Sequence, residues 1–584
     1  MNVEPKLSYF LTEVQNIEKR KFEKKIKIAI LSSFTINGLA ETLQVKSAEK
    51  KIECKTFVGS YNQYNQEILD KNSNLYRFLP DITFLILDIR NILGNSFYFP
   101  YSLTISERKN LIKEKTIDIV SLAKTFTTNS NSKLVVTNLS IPKFSSYGIA
   151  ETKVEYGFHE MINALNHNLI YEFRNMTSTY LYDFNAFVSK YGERNVFNFQ
   201  QYLFGDIKIS FDYIPYLAND LMSYIIAALS LSKKCIVLDL DNTLWGGIVG
   251  EDGFDGIKLG PQPPGNAYLE FQHHLLALFQ RGIILAINSK NNADDALKVI
   301  CEHPYMILRE ENFASLKINW NDKVGNMKEI AEELNIGLDS IVFFDDDPIN
   351  REYMKTNLPQ VKTIDLPSDP AQYSEVLQEI NEFDVLNITK EDAKRGHMYI
   401  QQLQRKELEH SSLNLHDFLK NLDIKITIKK ADNFTIPRIS QLTLKTNQFN
   451  LTTKRYQEED IRKFANDDKI IVGCAQVEDK FGDNGITGVF IIKKDQPTEW
   501  ILDSFLLSCR IIGREVEKGI LNHIVSIAKK NGAKRLKAQF IPTQKNKPAE
   551  SFLPNCGFKK ENGFWIYDLS IPFESPNCLE VNVE

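Results

Sequence analysis

Short apolar runs alternate with longer stretches of helical periodicity through the middle of the chain. In chain order, these runs and stretches lie at 235–238, 268–281, 283–287, 293–302, 324–335 and 341–344. Strands that are buried on both faces of a parallel sheet have continuous apolar runs of this kind, and helices connect them. The pattern predicts an α/β region with right-handed strand–helix–strand connections.

Different patterns occur on either side of this region. Residues 1–230 have a strand–helix rhythm of their own, with apolar strands predicted at 27–34, 82–89 and 133–139. This rhythm predicts a separate doubly wound domain. After residue 423, strands of mixed polarity are predicted at 424–428, 469–476, 485–492 and 500–507. Mixed polarity is typical of a half-buried, largely antiparallel sheet.

The fold class predicted from these patterns is multidomain α/β. A chain of 584 residues exceeds what one hydrophobic core supports, so about three or four domains are expected. The predicted bounds are a doubly wound α/β domain at 1–230, a Rossmann-like domain at 231–385, a charged helical linker at 386–422 and an α+β domain at 423–584.

Composition narrows the class of protein. The net charge of −5 argues against general electrostatic binding to nucleic acid or to anionic membranes. The seven cysteines are scattered and form no paired metal-binding motif, which favours a reducing compartment. Since neither a leader peptide nor an apolar run of membrane-spanning length is evident, a cytoplasmic location is expected.

Two carboxylates one residue apart end the first central strand. Side chains at alternate positions of a strand share a face, so Asp239 and Asp241 are expected to point into one crevice. Neighbouring carboxylates repel each other unless a cation or a proton lies between them. The two carboxylates therefore indicate either a divalent metal site or an acid/base pair. Without further motif residues, two aspartates at this spacing are also common in solvated turns.

The other central strands end in matching polar groups. Ser289 ends the second strand, an acidic run at 345–347 ends the third, and Lys323 lies between them. Right-handed winding would bring all of these groups to one edge of the sheet.

This ordered set resembles the motifs of haloacid dehalogenase-type phosphotransferases. The resemblance implies that Asp239 is the nucleophile that forms an aspartyl-phosphate and that Asp241 is the general acid and base. It implies phosphoryl-stabilising roles for Ser289 and Lys323. The implied Mg2+ ligands are Asp239, the Asp241 carbonyl and Asp346, with Asp345 acting through water or Lys323, and the order within 345–347 is open by one position. The implied phosphate- or substrate-binding residues are Asn242, Thr243, Lys290 and Asn291.

The spacing between the motifs bears on the substrate. Between Asp239 and Asp345 there is no room for a large inserted cap, and only a hairpin-like, glycine-rich stretch at 245–258 follows the nucleophile. A small flap over an open site suits a macromolecular or tethered substrate.

The flanking regions also resemble known folds. Residues 1–230 resemble SGNH-type serine hydrolases but lack their Gly-Asp-Ser and Asp-x-x-His motifs, so a docking or scaffold role is expected. Near residue 510, the loop before a predicted helix resembles the acyl-CoA loop of GNAT-type acetyltransferases. The acyl- or pantetheine-binding residues implied there are Cys509, Arg510, Gly513 and Arg514.

Four segments together resemble the FkbH-like family, a haloacid dehalogenase-type subfamily IIIC of phosphatases and glyceryl transferases with a GNAT-like C-terminal domain. They are 239–247, 319–323, 446–455 and 508–514. The resemblance implies Mg2+, with CoA or the phosphopantetheine of a carrier protein as a further cofactor. It implies dephosphorylation of 1,3-bisphosphoglycerate and transfer of the glyceryl unit to an acyl carrier protein in polyketide-type biosynthesis.

One position departs from the family pattern. The family has a cysteine just before the Ser-Lys-Asn segment of the second strand, whereas this chain has Asn288. Acyl transfer through that cysteine would then be replaced by transfer through another thiol, such as Cys509, or directly to the carrier. Two alternatives remain: a phosphatase acting on a sugar or protein phosphate with a separate acyl-CoA-dependent acyltransferase domain, and a catalytically silent scaffold.

Overall fold

The computed structural model describes residues 4–19, 21–388, 396, 398, 401, 405, 408, 414–574, 576 and 578–584. The chain forms two compact units, Met1–Ile226 and Ala227–Glu584. Most of the predicted helical linker at 386–422 lies outside the described residues, and its final part is a helix at Leu415–Leu422. No helix among the described residues has the length and apolar character needed to cross a membrane.

The first unit is built on a parallel sheet of five strands in the order β2-β1-β3-β4-β5. The strands are β1 (Lys24–Ser32), β2 (Ile52–Val58), β3 (Ile82–Ile86), β4 (Lys133–Thr137) and β5 (Thr179–Tyr182). Every side chain of β3 is buried, as expected for a central strand covered by helices on both faces.

Helices cover this sheet. They are α1 (Leu7–Glu13), α2 (Leu39–Glu49), α3 (Tyr64–Leu69), α4 (Asn74–Phe78), α5 (Ile89–Leu93), α6 (Asn95–Tyr98), α7 (Ile105–Asn129), α8 (Phe158–Phe173), α9 (Phe184–Tyr191), α10 (Glu193–Val196), α11 (Phe199–Gly205) and α12 (Ile214–Ala228). The longest, α7, begins at a capping box in which the Thr104 hydroxyl and the Glu107 carboxylate bind each other's backbone N–H groups.

The second unit contains a central parallel sheet in the order β10-β9-β6-β7-β8. The strands are β6 (Cys235–Leu238), β7 (Ile284–Ser289), β8 (Phe313–Ile318), β9 (Ile341–Asp345) and β10 (Lys362–Asp365). The accompanying helices are α13 (Val249–Asp252), α14 (Gly265–Gln280), α15 (Ala293–Glu302), α16 (Lys323–Glu333), α17 (Pro348–Asn357) and α18 (Tyr373–Gln378). Because β6 lies in the middle, the chain ends of β7 and β9 flank the end of β6.

The C-terminal part of this unit is a mixed, mostly antiparallel sheet in the order β17-β18-β16-β15-β14-β13-β11-β19, with β12 paired to β15. The strands are β11 (Ile424–Lys430), β12 (Phe449–Asn450), β13 (Ile470–Asp479), β14 (Gly482–Gln496), β15 (Glu499–Leu507), β16 (Arg535–Ala538), β17 (Lys559–Glu561), β18 (Phe564–Asp568) and β19 (Leu579–Val583). The helices are α19 (Leu415–Leu422), α20 (Ile436–Lys445), α21 (Glu458–Ala465), α22 (Val516–Lys530) and α23 (Phe552–Asn555).

The predicted multidomain α/β class with parallel sheets is confirmed. The predicted central strands and helices also occur, within a few residues at their ends. The finer SGNH-like and haloacid dehalogenase-like assignments stay predictions, as do the predicted domain bounds.

Candidate active site

The polar ends of three neighbouring strands meet at the carboxyl edge of the central sheet. Leu238 of β6 pairs with Ile287 of β7 and with Phe344 of β9. The residues that follow are therefore side by side, which brings Asp239, Ser289 and Asp345 together as the winding rule predicts.

Three carboxylates form a cluster at this edge. One oxygen each from Asp239, Asp345 and Asp346 lies within 4.8 Å of the others. Asp239 and Asp345 are buried, and Asp346 is half-buried. Carboxylate oxygens at this separation are the donor set that a hard divalent cation takes, so these residues fit a Mg2+ ion. Asp345 joins the cluster directly, in addition to the expected Asp239 and Asp346.

Lys323 neutralises part of this charge. Its Nζ lies 3.0 Å from Asp239 Oδ1 and 2.6 Å from Asp345 Oδ2, and the side chain is buried. Burial alone would lower the pKa of Lys323, but the two carboxylates outweigh it and the pKa is raised. The lysine is therefore a fixed cation beside the nucleophile position.

The acidic residues at the end of β9, Asp345 and Asp346, have raised pKa values. Burial, with repulsion from Asp239 and Asp345, raises the pKa of Asp346 to about 7. Burial likewise raises the pKa of Asp345, and Lys323 opposes that shift. A divalent cation would offset this repulsion, so the cluster is electrostatically incomplete without one.

Asp241 is held by three donors that the other carboxylates do not contact. Its Oδ1 accepts hydrogen bonds from Trp245 Nε1 at 2.8 Å and from the Val249 backbone N–H at 3.1 Å. Its Oδ2 accepts from Asn291 Nδ2 at 2.8 Å. Burial, with a contribution from Asp239, raises the pKa of Asp241 despite these donors. A positioned carboxyl group with a raised pKa is suited to proton transfer.

Trp245 links Asp241 to the flap that follows it. Its side chain is buried, in agreement with a role as a flap anchor. The flap closes on itself, as predicted, where Gly246 and Lys258 exchange two backbone hydrogen bonds of 3.0 and 2.7 Å. Gly247 has a φ of +92°, and a Cβ there would lie 2.5 Å from an Asp252 oxygen, so the turn requires glycine.

The predicted phosphate-binding residues differ in their surroundings. Asn242 adopts a left-handed conformation with φ of 54°, and its Oδ1 accepts from the Gly247 N–H at 2.8 Å. Thr243 and Asn291 are buried, and Lys290 is exposed. The role of Asn291 as a partner of Asp241 is not evident from the sequence. Binding of phosphate by these residues stays a prediction.

Asn288 has a structural role. Its Nδ2 donates to the Lys323 carbonyl at 2.9 Å, and its Oδ1 accepts from Asn326 Nδ2 at 3.2 Å. The side chain is completely buried. Asn288 therefore ties the end of β7 to the first turn of α16, which carries the lysine.

Arg351 is a site residue that the sequence motifs do not indicate. Its Nη1 donates to the backbone carbonyl of Asp345 at 2.8 Å and to that of Asp346 at 2.5 Å. Arg351 thus fixes the chain on which two of the three clustered carboxylates stand. Arg351 lies six residues after Asp345, in the first turns of α17. This spacing is the feature of the sequence that could indicate its role.

The predicted acyl-binding loop is remote from this edge. The Cys509 carbonyl accepts from Asn335 Nδ2 at 3.1 Å, and Asn335 precedes β9 at the opposite, amino edge of the central sheet. Arg514 is buried and pairs with Asp479 at 3.1 Å. Arg510 is buried beside Met398.

The arginines of this loop are packed inward. The charges of Arg510 and Arg514 face the interior, because each side chain is committed to a contact there. Gly513 is exposed with φ of +84°. Acyl or pantetheine binding by Cys509, Arg510, Gly513 and Arg514 stays a prediction.

The segment 446–455 packs against the C-terminal sheet. Phe449 and Asn450 form β12 and pair with Leu507 and Leu506 of β15. The Leu451 N–H donates to the Phe505 carbonyl at 3.1 Å, and the Leu451 carbonyl accepts from the Ile541 N–H at 2.8 Å. The pairing of β15 with β16 ends at Leu502. The segment 446–455 packs beside the part of β15 that follows.

The fold and the site together define a multidomain α/β protein with a carboxylate–lysine site at the carboxyl edge of a parallel sheet. Residues 27–226 match the family model described as the FkbH N-terminal domain. The first unit is therefore similar to that domain, and the resemblance of the chain to FkbH-like proteins is confirmed in this unit. No curated protein matches the chain.

Solved structures extend the comparison. The chain is similar to the N-terminal part of protein BF1531 from Bacteroides fragilis, described as containing a phosphatase domain complexed with Mg, at 28% identity and a TM-score of 0.60. The match covers 66% of this chain and all of that one. A GNAT-family acetyltransferase from Desulfovibrio desulfuricans matches 25% of the chain at 10% identity, with a TM-score of 0.20 and 99% of its own length covered.

Proposed function

We propose that the central region is a Mg2+-dependent haloacid dehalogenase-type phosphotransferase that uses Asp239 as its nucleophile. The observation that carries this proposal is the contact of Lys323 Nζ with both Asp239 and Asp345 inside a three-carboxylate cluster. A purely structural lysine needs one carboxylate partner, whereas a phosphoryl group brings negative charge that requires both a lysine and a metal. The likeness to a protein with an Mg-bound phosphatase domain supports the same proposal.

Each residue of this edge has a distinct task in the proposed reaction. Asp239 attacks phosphorus and forms an aspartyl-phosphate, while the ester oxygen leaves. Lys323 and Ser289 stabilise the phosphoryl oxygens, and Lys323 also lies 3.0 Å from Asp239. Asp241 gives a proton to the leaving oxygen and then takes one from the water that hydrolyses the intermediate.

The metal site of this proposal is Asp239, Asp345 and Asp346, with the backbone carbonyl of Asp241 as a further ligand. When bound, Mg2+ neutralises the oxygens of the phosphoryl group and of the carboxylates. Arg351 orients Asp345 and Asp346 through their backbone carbonyls.

We further propose that the substrate is a phosphorylated three-carbon unit such as 1,3-bisphosphoglycerate and that the acyl product is carried by an acyl carrier protein. Chemistry constrains this proposal. If Asp239 attacks the phosphorus of an acyl phosphate, a free carboxylate leaves and the activation needed for a thioester is lost. A thioester forms only if sulfur attacks the acyl carbon and phosphate leaves. Asp239 would then act on the ester phosphate at the other end of the same unit.

Replacement of Asp239 by Asn tests the nucleophile. The variant removes the attacking oxygen with little change in volume, so Mg2+-dependent phosphate release should fall by at least about a thousandfold, to the uncatalysed background. A continuous phosphate assay and mass spectrometry of the acid-quenched wild-type protein would follow turnover and the phosphorylated intermediate. Asp347→Asn is the matched control, because Asp347 caps α17 and lies outside the cluster. Undiminished release by folded Asp239→Asn protein would contradict the proposal.

The alternative is a phosphatase for sugar or protein phosphates whose C-terminal region transfers acyl groups from CoA. The buried positions of Arg510 and Arg514 disfavour a CoA site in that loop. Calorimetric titration with acetyl-CoA separates the two functions, since the alternative requires saturable binding and the first proposal requires none.

A further inference from the structure

The six cysteines of the second unit lie away from the carboxylate cluster. A thiol can accept an acyl group from the proposed substrate only if its sulfur reaches the carboxyl edge of the central sheet. All seven cysteines are among the described residues, so the position of each bears on how the acyl group travels. The inference that follows rests on the proposed function.

Two cysteines of the central region are at its amino edge. Cys235 is the first residue of β6 and is completely buried. It stands four residues before Asp239, which is about 13 Å along an extended strand. Cys301 is the second-last residue of α15, the helix that returns from the carboxyl edge, and its Sγ lies 3.6 Å from Glu310, just before β8.

Cys509 belongs to the C-terminal sheet but lies at the same amino edge. Its carbonyl is bound by Asn335, which precedes β9. Lys545 of the C-terminal sheet likewise pairs with Asp339, also before β9, at 3.1 Å. These links place the loop of Cys509 a full strand length from Asp239. In this arrangement the Cys509 thiol is therefore too far from Asp239 to accept the acyl group.

The other cysteines belong to hydrophobic cores or to other sheets. Cys474 is completely buried in β13, and Cys556 is buried after α23. Cys578 precedes β19. Cys54 is in β2 of the first unit, and burial raises its pKa to about 12, so that its thiol is protonated at neutral pH and is a weak nucleophile.

The position at which the family has a cysteine, Asn288 in this chain, also provides no thiol. Asn288 is completely buried and both of its polar atoms are used, one on the Lys323 carbonyl and one on Asn326. It offers neither a nucleophile nor a free polar atom to a substrate.

We infer that this protein forms no cysteinyl acyl-enzyme and that the acyl group passes in one displacement to a thiol brought from outside the chain, such as a pantetheine thiol. In this step the sulfur bonds to the acyl carbon, and the bond from that carbon to the phosphate oxygen breaks. The thiol proton goes to the departing phosphate, and no group is oxidised or reduced. Asp239 keeps its separate role on ester phosphate.

Acetyl phosphate and pantetheine test this inference on the full-length protein. The wild-type and Asp239→Asn proteins are incubated with Mg2+ and acetyl phosphate, with and without pantetheine. Intact-protein mass spectrometry measures acetyl adducts, and labelled inorganic phosphate measures exchange into acetyl phosphate. A cysteinyl acyl-enzyme would catalyse that exchange without any added thiol.

The expected result is no acetyl adduct on cysteine, no exchange without thiol, and acetyl-pantetheine formation that rises with pantetheine concentration and requires the protein. Cys301→Ser should leave that rate within about twofold of wild type. An acetyl group mapped to a cysteine, or exchange in the absence of thiol, would overturn the inference, and so would a lack of catalysed acetyl-pantetheine formation.

Release of phosphate from 4-nitrophenyl phosphate is measured in parallel. If the wild-type protein fails there, the proposed phosphotransferase function fails, whereas the adduct and exchange results still decide the acyl route. The two failures are therefore distinguishable.

Discussion

Asp241 and Asp239 are only two residues apart, yet their surroundings give them different chemistry. Asp239 faces the positive charge of Lys323 at 3.0 Å. Asp241 contacts no lysine and is held instead by the neutral N–H groups of Trp245, Val249 and Asn291. Its pKa is raised by burial, so it retains a proton more readily. Different environments for two carboxylates are what separate a nucleophile from a general acid.

Replacement of Trp245 by Phe should affect substrates according to their leaving groups. The variant loses the N–H donor that fixes Asp241 Oδ1, and proton delivery should become less efficient. We expect the kcat/KM for 3-phosphoglycerate, whose alkoxide must be protonated, to fall about tenfold. The kcat/KM for acetyl phosphate, whose leaving carboxylate needs no proton, should change less than about twofold.

Steady-state phosphate release from both substrates measures this difference. Trp320→Phe is the matched control, because that indole is 70% exposed and donates to Asn292 rather than to a clustered carboxylate. An equal loss on both substrates would mean that Trp245 only supports the fold.

The sequence predicts the site residues that depend on the order of strand ends along the chain. It does not predict contacts between residues that are far apart in the chain. Asp239, Asp241, Ser289 and Lys323 follow from strand ends and their order along the chain, since a parallel sheet gathers such ends at one edge. The burial of Arg514 does not follow, because its partner Asp479 is on a strand 35 residues away. A loop rich in arginine has the same sequence whether its charges face solvent or the core.

At the scale of elements, α22 begins in a way that disfavours an anionic ligand. Glu515 adopts φ of 60° before the helix, and Glu517 is in the first turn. The Oε2 of Glu517 is buried without a hydrogen-bond partner among the described residues. Burial raises the pKa of Glu517 above the 4.5 of an exposed glutamate. The acidic side chain occupies the part of the helix where a phosphate would otherwise be favoured.

Glu517→Gln should therefore stabilise the protein near neutral pH. A carboxyl group whose pKa is higher in the folded state loses its proton more readily in the unfolded chain, so its ionisation lowers stability as the pH rises above about 4.5. The glutamine variant lacks this penalty. The gain in unfolding midpoint should be present at pH 7 and should shrink towards pH 4, as measured by urea unfolding.

Glu515→Gln is the comparison, because the Glu515 carboxylate is paired with Lys518 at 2.5 Å. It should give no such gain at pH 7. A loss of stability in Glu517→Gln at neutral pH would mean that the ionised carboxylate is stabilised by its surroundings.

Element prediction succeeds where the burial is continuous and fails where it is not. The strands β3, β6 and β9 are buried at every position and are evident as apolar runs. By contrast, β2 is half-exposed along most of its length and has no such run. The two-residue strand β12 is too short for any periodicity, and its pairing with β15 depends on contacts made elsewhere in the chain.

At the scale of the whole molecule, the division into two units has a spectroscopic consequence. All four tryptophans, at 245, 320, 500 and 565, belong to the unit Ala227–Glu584. Tryptophan fluorescence therefore reports on that unit alone, whereas far-UV circular dichroism reports on both. The carboxylate cluster is in the same unit as the tryptophans.

Mg2+ should shift only part of the unfolding profile. A ligand that binds the folded state raises the stability of the unit that carries its site. In urea, millimolar Mg2+ should raise the midpoint seen by fluorescence and leave unchanged the dichroism transition of the first unit. The Asp346→Asn variant, which loses a clustered carboxylate, should show a smaller shift. A single coincident transition at every Mg2+ concentration would show that the units unfold together.

The distance between the cysteines and the carboxylate cluster also sets the sensitivity of the protein to its surroundings. Enzymes that hold acyl groups on a reactive cysteine are inactivated by alkylating agents and by peroxide, because both consume the thiolate. In the proposed phosphate release, the bonds that form and break join the substrate phosphorus to the Asp239 carboxylate, to the leaving oxygen and to water, and no sulfur takes part. Iodoacetamide or mild oxidation should therefore spare phosphate release, which an assay before and after the treatment would measure.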